Sequence, residues 1–178
     1  GFVATLSGSI GQVLTPSIIS AGTKKSKQWY LRLVIVLQVI SIFIYYIGDF
    51  AFIHAYQLIF DEQSLDIAST IFPYLFGAAC ITFTTSVSLS TFLLFSKETY
   101  TRVLSYLFTI IRVLSFTTGY LYLGFEGIAI AAFINACLQH IGTHLAAFMA
   151  MQEMDVRNTL SLLISPILVG LSVFGLKI

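Results

Sequence analysis

Apolar segments of about 20 residues recur along the whole chain, and this is the length that an α-helix needs to cross the hydrocarbon core of a bilayer. The 178 residues are 57% hydrophobic and 10% charged, whereas soluble domains carry about 25% charged residues. The segments lack the alternation of apolar and polar residues that marks transmembrane β-strands. The sequence, with a mean hydropathy of +0.92, therefore predicts an all-α fold, a polytopic bundle of transmembrane helices.

About six spans are predicted within one transmembrane domain that covers residues 1–178. The first span is the least apolar, and its small and polar residues favour packing against other helices or lining a cavity. Pro166 is expected to distort the last span. Neither end of the chain resembles a natural terminus, so we interpret the chain as part of a longer membrane protein. The predicted spans are about residues 1–20, 29–53, 68–95, 102–123, 126–151 and 158–176.

The basic residues of the linkers fall on one side of the membrane if the spans alternate in direction. This positive-inside pattern predicts that the basic side is cytoplasmic, with Trp29 and Tyr30 at the inner interface. We therefore predict a multi-pass protein of the cytoplasmic (inner) membrane. The basic residues are Lys24, Lys25, Lys27, Arg32, Lys97, Arg102 and Arg157, and the acidic residues of the opposite linkers are Asp61, Glu62, Asp66 and Glu126.

Arg112 is a charged residue near the middle of the apolar span 102–123, ~15 Å along the helix axis from Arg102. A charge at that depth costs between ~3 and more than ~10 kcal/mol, so such a residue normally faces a bundle interior or a water-filled cavity. The spacing therefore predicts a functional position for Arg112. Helical periodicity places on one stripe Ser105, Thr109, Arg112, Ser115 and Gly119.

A strip of polar residues crosses the span 126–151. His144 and His140 lie ~12 and ~18 Å from its cytoplasmic end, which is the depth of Arg112, and a cavity shared by the two spans would explain this coincidence. Three interpretations stay open for the histidines: hydrogen bonding to neighbouring helices, lining of a cavity, and response to protons. A metal site is not predicted, because no suitable third ligand lies nearby in the sequence. The strip consists of Asn135, Gln139, His140, Thr143 and His144.

The residues that carry catalytic chemistry do not occur here in a recognisable arrangement. The chain has no nucleotide-binding loop, no Ser/His/Asp pattern and no pair of carboxylates within a span, so it is not predicted to be an enzyme or to hold a cofactor. Cys80 and Cys137 lie within predicted spans. Both are interpreted as small buried hydrophobic residues.

Three stretches, taken in order, resemble the multidrug/oligosaccharidyl-lipid/polysaccharide (MOP) exporter superfamily. They are GQVLTPSIISAGTKKSKQWYLR, then FPYLFGAACITFTTSVSLSTFLLFSKETYTRVLSYLFTIIRVLSF, and then LGFEGIAIAAFIN with its glycines Gly124 and Gly127. The first resembles a proline-bearing helix that runs into a basic cytoplasmic linker, the second the following helix pair, and the third the glycine-containing turn into the next helix. Within the superfamily the chain is most similar to the Wzx-type polysaccharide flippases.

The resemblance implies a two-lobe transporter like the multidrug and toxin exporters (MATE), with a central cationic cavity, of which this chain forms one lobe. It implies the flipping of polyprenyl-diphosphate-linked oligosaccharides across the cytoplasmic membrane by alternating access. The partners are then this lipid-linked substrate, the bilayer and the missing N-terminal lobe. A guanidinium suits a diphosphate, and neutral amides and hydroxyls suit sugars. The candidate substrate-binding residues are Arg112, His140, His144, Gln139, Asn135 and Thr109.

Two other functions stay open at this point. A MATE-type cation-coupled multidrug exporter would share the fold, but we would expect carboxylates in its cavity, and the predicted spans show none at mid-membrane. A structural or assembly membrane protein would use Arg112 to pair with a partner helix.

Overall fold

The computed structural model describes residues 23–58, 62–95, 98–151, 160–161 and 163–175, and these are predominantly helical. Helix α1 is Thr23–Gln57, α2 is Glu62–Phe95, α3 is Glu98–Met151 and α4 is Ile164–Val173. The part of the chain that the structure describes contains no strand, so the predicted all-α fold is confirmed. The predicted span 1–20 lies outside the described residues.

Among the described residues, three helices are long and apolar enough to cross a membrane, which indicates a membrane-embedded protein. The apolar segments are Gln28–Tyr56 in α1, Ser64–Thr85 in α2 and Arg102–Met149 in α3. The predicted number of about six spans is not confirmed by these helices and stays a prediction.

Helix α3 is a hairpin of two antiparallel halves, residues 98–123 and 125–151. Gly124 interrupts the helix with φ 61° and ψ −136°, a conformation that is essentially restricted to glycine. Beyond the turn the two halves face each other, since Gly119 and Gly127 touch through their backbones and Arg112 bonds to Gln139. The break therefore lies between the two predicted spans 102–123 and 126–151.

Helices α1 and α2 also run antiparallel. The Ser41 hydroxyl donates to the Cys80 carbonyl oxygen at 2.7 Å, and further along the rings of Phe52 and Phe72 stack with centroids 3.6 Å apart. Helix α2 begins at Glu62, before residue 68, where its span is predicted to start. Pro73 therefore lies inside the helix.

The arrangement of the helices separates the charged helix ends. Leu104 packs against Tyr30 and Phe148, so the start of α1 and both ends of α3 lie at one end of the bundle. Helix α2 runs parallel to the second half of α3, which brings Glu62 and Glu126 to the opposite end. This distribution agrees with the alternation from which the orientation is predicted.

Helix α4 has ten residues, which corresponds to ~15 Å, about half of the hydrocarbon thickness. Its first-turn Ser165 N–H donates to Gln38 Oε1 at 3.1 Å, and Gln38 lies in the middle of α1. Pro166 follows Ser165, and because proline has no N–H, it leaves no unbonded donor in the first turn. Within the predicted span 158–176, Pro166 thus lies in the first turn of a helix and does not kink its interior, because a proline is tolerated at that position.

The largest apolar cluster among the described residues lies between α1, α2, the second half of α3 and α4. Lipid tails are as apolar as these side chains, so the cluster contributes through close van der Waals packing and not through exclusion of water. Its buried members are Tyr45, Cys80, Ile81, Phe133, Ala136 and Val169.

The close approach of Gly119 and Gly127 leaves no room for a side chain at position 127, so a substitution there is expected to destabilise the hairpin. A Cβ atom at Gly127 would collide with the carbonyl oxygen of Gly119, so Gly127→Ala should destabilise the protein by about 1–3 kcal/mol. Gly170→Ala is the matched control, because the nearest atoms to its Cβ are ring carbons of Phe133 at 3.9 Å. Thermal unfolding of both variants in detergent checks this, and an unchanged midpoint for Gly127→Ala would contradict it.

Candidate functional site

Arg112 is exposed on the first half of α3 and reaches across the hairpin to the second half. Its Nη2 donates to Gln139 Oε1 at 2.8 Å. The apolar segment starts at Arg102. Arg112 lies ten residues further along the helix, so it stands ~15 Å inside that segment. A guanidinium, which cannot lose its charge in a protein, is thus held at mid-depth by a neutral amide.

A second polar pair lies one turn closer to Gly124. Asn135 Nδ2 donates to Ser115 Oγ at 2.5 Å and to the Ala131 carbonyl oxygen at 2.7 Å. Asn135 is buried, whereas Ser115 is half-buried. Both amide hydrogens of Asn135 are therefore used within the hairpin, and this pair helps to hold Arg112 opposite Gln139.

Two hydroxyls of the candidate site bond to their own helix. Thr109 Oγ1 donates to the Ser105 carbonyl oxygen at 2.8 Å, and Thr143 Oγ1 donates to the Gln139 carbonyl oxygen at 2.6 Å. Such bonds occupy the hydroxyl hydrogen without linking helices. Thr109 is exposed on the stripe that carries Arg112, whereas Thr143 is buried.

The two histidines lie on another face of the second half of α3, fully buried against α1 and α2. His144 Nδ1 is 2.9 Å from the Tyr30 hydroxyl, and His140 Nδ1 is 2.9 Å from Thr84 Oγ1. The two imidazole rings meet edge to face with centroids 4.3 Å apart. The pair therefore connects three helices through hydrogen bonds within the bundle.

The structure thus brings together only part of the polar strip. Residues 139 and 140 point about 100° apart around the helix axis, so Gln139 faces the hairpin while His140 faces α2. The histidines and Arg112 share a depth but not a surface: His140 and His144 are buried, and Arg112 is exposed. Contact of the histidines with a substrate stays a prediction.

Sequence analysis did not single out Gln38, Thr84 or Thr85 as partners in a buried polar layer. Gln38 interrupts the apolar run LRLVIVLQVISIFI, and an amide in the middle of a predicted span is a signal for hydrogen bonding between helices. Thr85 Oγ1 lies 3.3 Å from His140 Nδ1. Gln38 Nε2 and Ser165 Oγ are buried without a hydrogen-bond partner.

The exposed face of the hairpin is suited to bind an anionic oxygen group, since the guanidinium retains donors beyond the one that bonds to Gln139.

In the described residues no group of three His, Cys, Asp or Glu side chains is placed to hold a metal ion. Comparisons with protein-family models, curated proteins and solved structures found no match for the chain.

The Tyr30–His144 hydrogen bond is expected to stabilise the contact between α1 and α3. Tyr30→Phe removes the hydroxyl and should lower the free energy of unfolding by about 0.6 kcal/mol, the average for hydrogen bonds between membrane helices, and by no more than ~1.7 kcal/mol. Thr109→Val is the control, because that hydroxyl bonds to its own helix. Unfolding in detergent measures both, and equal losses would contradict a specific contribution from the Tyr30 hydroxyl.

Proposed function

We propose that the chain forms one lobe of a membrane transporter that flips lipid-linked oligosaccharides across the cytoplasmic membrane. In this proposal Arg112 binds the diphosphate of a polyprenyl carrier at the surface that faces the second lobe. The observation that carries it is the exposure of a guanidinium at mid-depth of an apolar segment.

An exposed charge at this depth needs surroundings other than lipid tails. The single bond to Gln139 is to a neutral amide, so it does not neutralise the arginine. Because a guanidinium in hydrocarbon is strongly unfavourable, the face that carries Arg112 would border water or another part of the protein. A cavity between two lobes supplies both.

The chemistry of Arg112 favours phosphate over other ligands. A planar guanidinium can donate two parallel hydrogen bonds to two phosphate oxygens, and such charge-assisted bonds are roughly twice as strong as neutral ones. The amide of Asn135 and the hydroxyl of Thr143 are engaged inside the hairpin. The phosphate-binding part of the proposed site therefore has better support than the sugar-binding part.

Substitution of Arg112 in the full-length protein tests the proposal. Arg112→Ala should reduce surface polysaccharide at least ~10-fold, because a hydrogen bond to a charged group contributes about 1.5–3 kcal/mol. Arg112→Lys keeps the charge but loses the forked geometry, so we expect an intermediate loss. The measurement is polysaccharide on the surface of cells that produce each variant, relative to the amount of membrane-inserted protein.

Arg102→Ala is the matched control, since it removes an arginine at the first position of the same apolar segment. It should leave export close to that of the wild type. Undiminished export by Arg112→Glu would contradict the transporter model. Loss of export only in step with loss of folded protein would instead indicate that Arg112 pairs with a partner helix.

A further inference from the structure

We propose that Gln139 is the positioning residue of this anion site, and that the pair of Arg112 and Gln139 selects an acceptor-only group such as a phosphate. This role differs from contact with sugar hydroxyls, and it rests on the function proposed above. The inference follows from the direction of one hydrogen bond, from the chemistry of the two side chains and from the way the hairpin holds them.

The orientation of the Gln139 amide follows from its partner. A guanidinium has donors and no acceptor, so the atom of Gln139 that faces Arg112 must be Oε1. The distance of 2.8 Å from Arg112 Nη2 agrees with this assignment. Gln139 Nε2 makes no hydrogen bond to any of the described residues, and Gln139 is half-buried.

The pair therefore presents mainly donors, because Gln139 Oε1 already accepts one hydrogen bond from Arg112. The remaining N–H groups of Arg112 and the amide nitrogen of Gln139 lie on adjoining side chains of the two halves of α3. Oxygens of phosphate only accept hydrogen bonds at neutral pH, and they carry the charge that complements the arginine. Sugar hydroxyls both donate and accept, so a surface made of donors leaves their own hydrogens without a partner.

A neutral amide at position 139 also preserves the charge of Arg112. A glutamate there would hold the guanidinium equally well, but it would form an ion pair and compete with an anionic ligand. Glutamine orients the arginine without neutralising it. The surrounding contacts fix the pair, because Asn135 bonds to Ser115 on one side and the ring of Phe108 fits against Gly142 on the other.

Binding of farnesyl diphosphate, which carries a diphosphate and no sugar, to the purified full-length protein tests the inference. Farnesol, which lacks the diphosphate, is the uncharged control. Gln139→Glu should weaken binding of the diphosphate about 10-fold or more at neutral pH, because the new carboxylate pairs with Arg112. Gln139→Leu should weaken binding of the diphosphate about threefold, because Arg112 keeps its charge but loses the hydrogen bond that orients it.

The pH dependence separates positioning from a purely structural role. As the pH falls and the introduced carboxyl takes up a proton, Gln139→Glu should recover affinity relative to wild type, whereas Gln139→Leu should show the same relative affinity throughout. Equal losses for the two variants at every pH would overturn the inference. Failure of the wild-type protein to bind farnesyl diphosphate in preference to farnesol would also overturn it.

An exchanged pair keeps the inference testable if the single variants fold poorly. In the double variant Arg112→Gln with Gln139→Arg, the glutamine lies on the first half of α3 and the arginine on the second. Binding of farnesyl diphosphate should stay within about threefold of wild type. A folded double variant without affinity for the diphosphate would contradict the inference. Export is measured separately, so normal polysaccharide in Arg112→Ala together with the expected binding pattern would refute the transporter and retain the anion site.

Discussion

Polar groups that a helix carries into hydrocarbon must be satisfied inside the protein, and this constraint explains most of the contacts described above. Threonine hydroxyls on exposed surfaces bond to carbonyls of their own helix, as Thr109 and Thr117 do. Some buried groups bond between helices: His144 with Tyr30, and His140 with Thr84. Helix α4 can begin at mid-depth because Gln38 accepts a hydrogen bond from an N–H of its first turn, which lipid tails could not do.

Arg112 is the charged residue in the hairpin for which this solution is incomplete, in addition to the unbonded buried atoms Gln38 Nε2 and Ser165 Oγ. Its hydrogen bond to Gln139 satisfies one donor but leaves the charge and the other donors on an exposed surface. The second half of α3 therefore has two polar faces with different roles. One face, with His140 and His144, connects α3 to α1 and α2, and the other supports the arginine. The proposed transport site lies on the second of these faces, where protein contacts do not already account for the polar groups.

The fold and the candidate site differ in how far they could be predicted. Periodicity and length are enough for long apolar helices, and the glycines near Glu126 mark the break between two spans, because Gly124 adopts a conformation that other residues avoid. Once that turn is known, similar depths can be predicted for Arg112 and Gln139, but which face of the second half meets the arginine is seen only in the structure. The Tyr30–His144 and Gln38–Ser165 contacts join residues 114 and 127 positions apart. Local sequence carries no information on such pairs, and equal depth does not determine which residues share a surface, since His140 and His144 are buried and Arg112 is exposed.

The hairpin of α3 also has a consequence for how the protein is made. Arg112 and Gln139 are 27 residues apart in the chain, and Ser115 and Asn135 are 20 apart, so their contacts close short loops with little loss of entropy. The hairpin can enter the bilayer as one unit during synthesis, with its arginine already held by the amide. The buried histidines, by contrast, acquire their partners only when other helices dock: His144 meets Tyr30 of α1, and His140 meets Thr84 of α2. The proposed anion-binding face would therefore be assembled before the bundle that supports it.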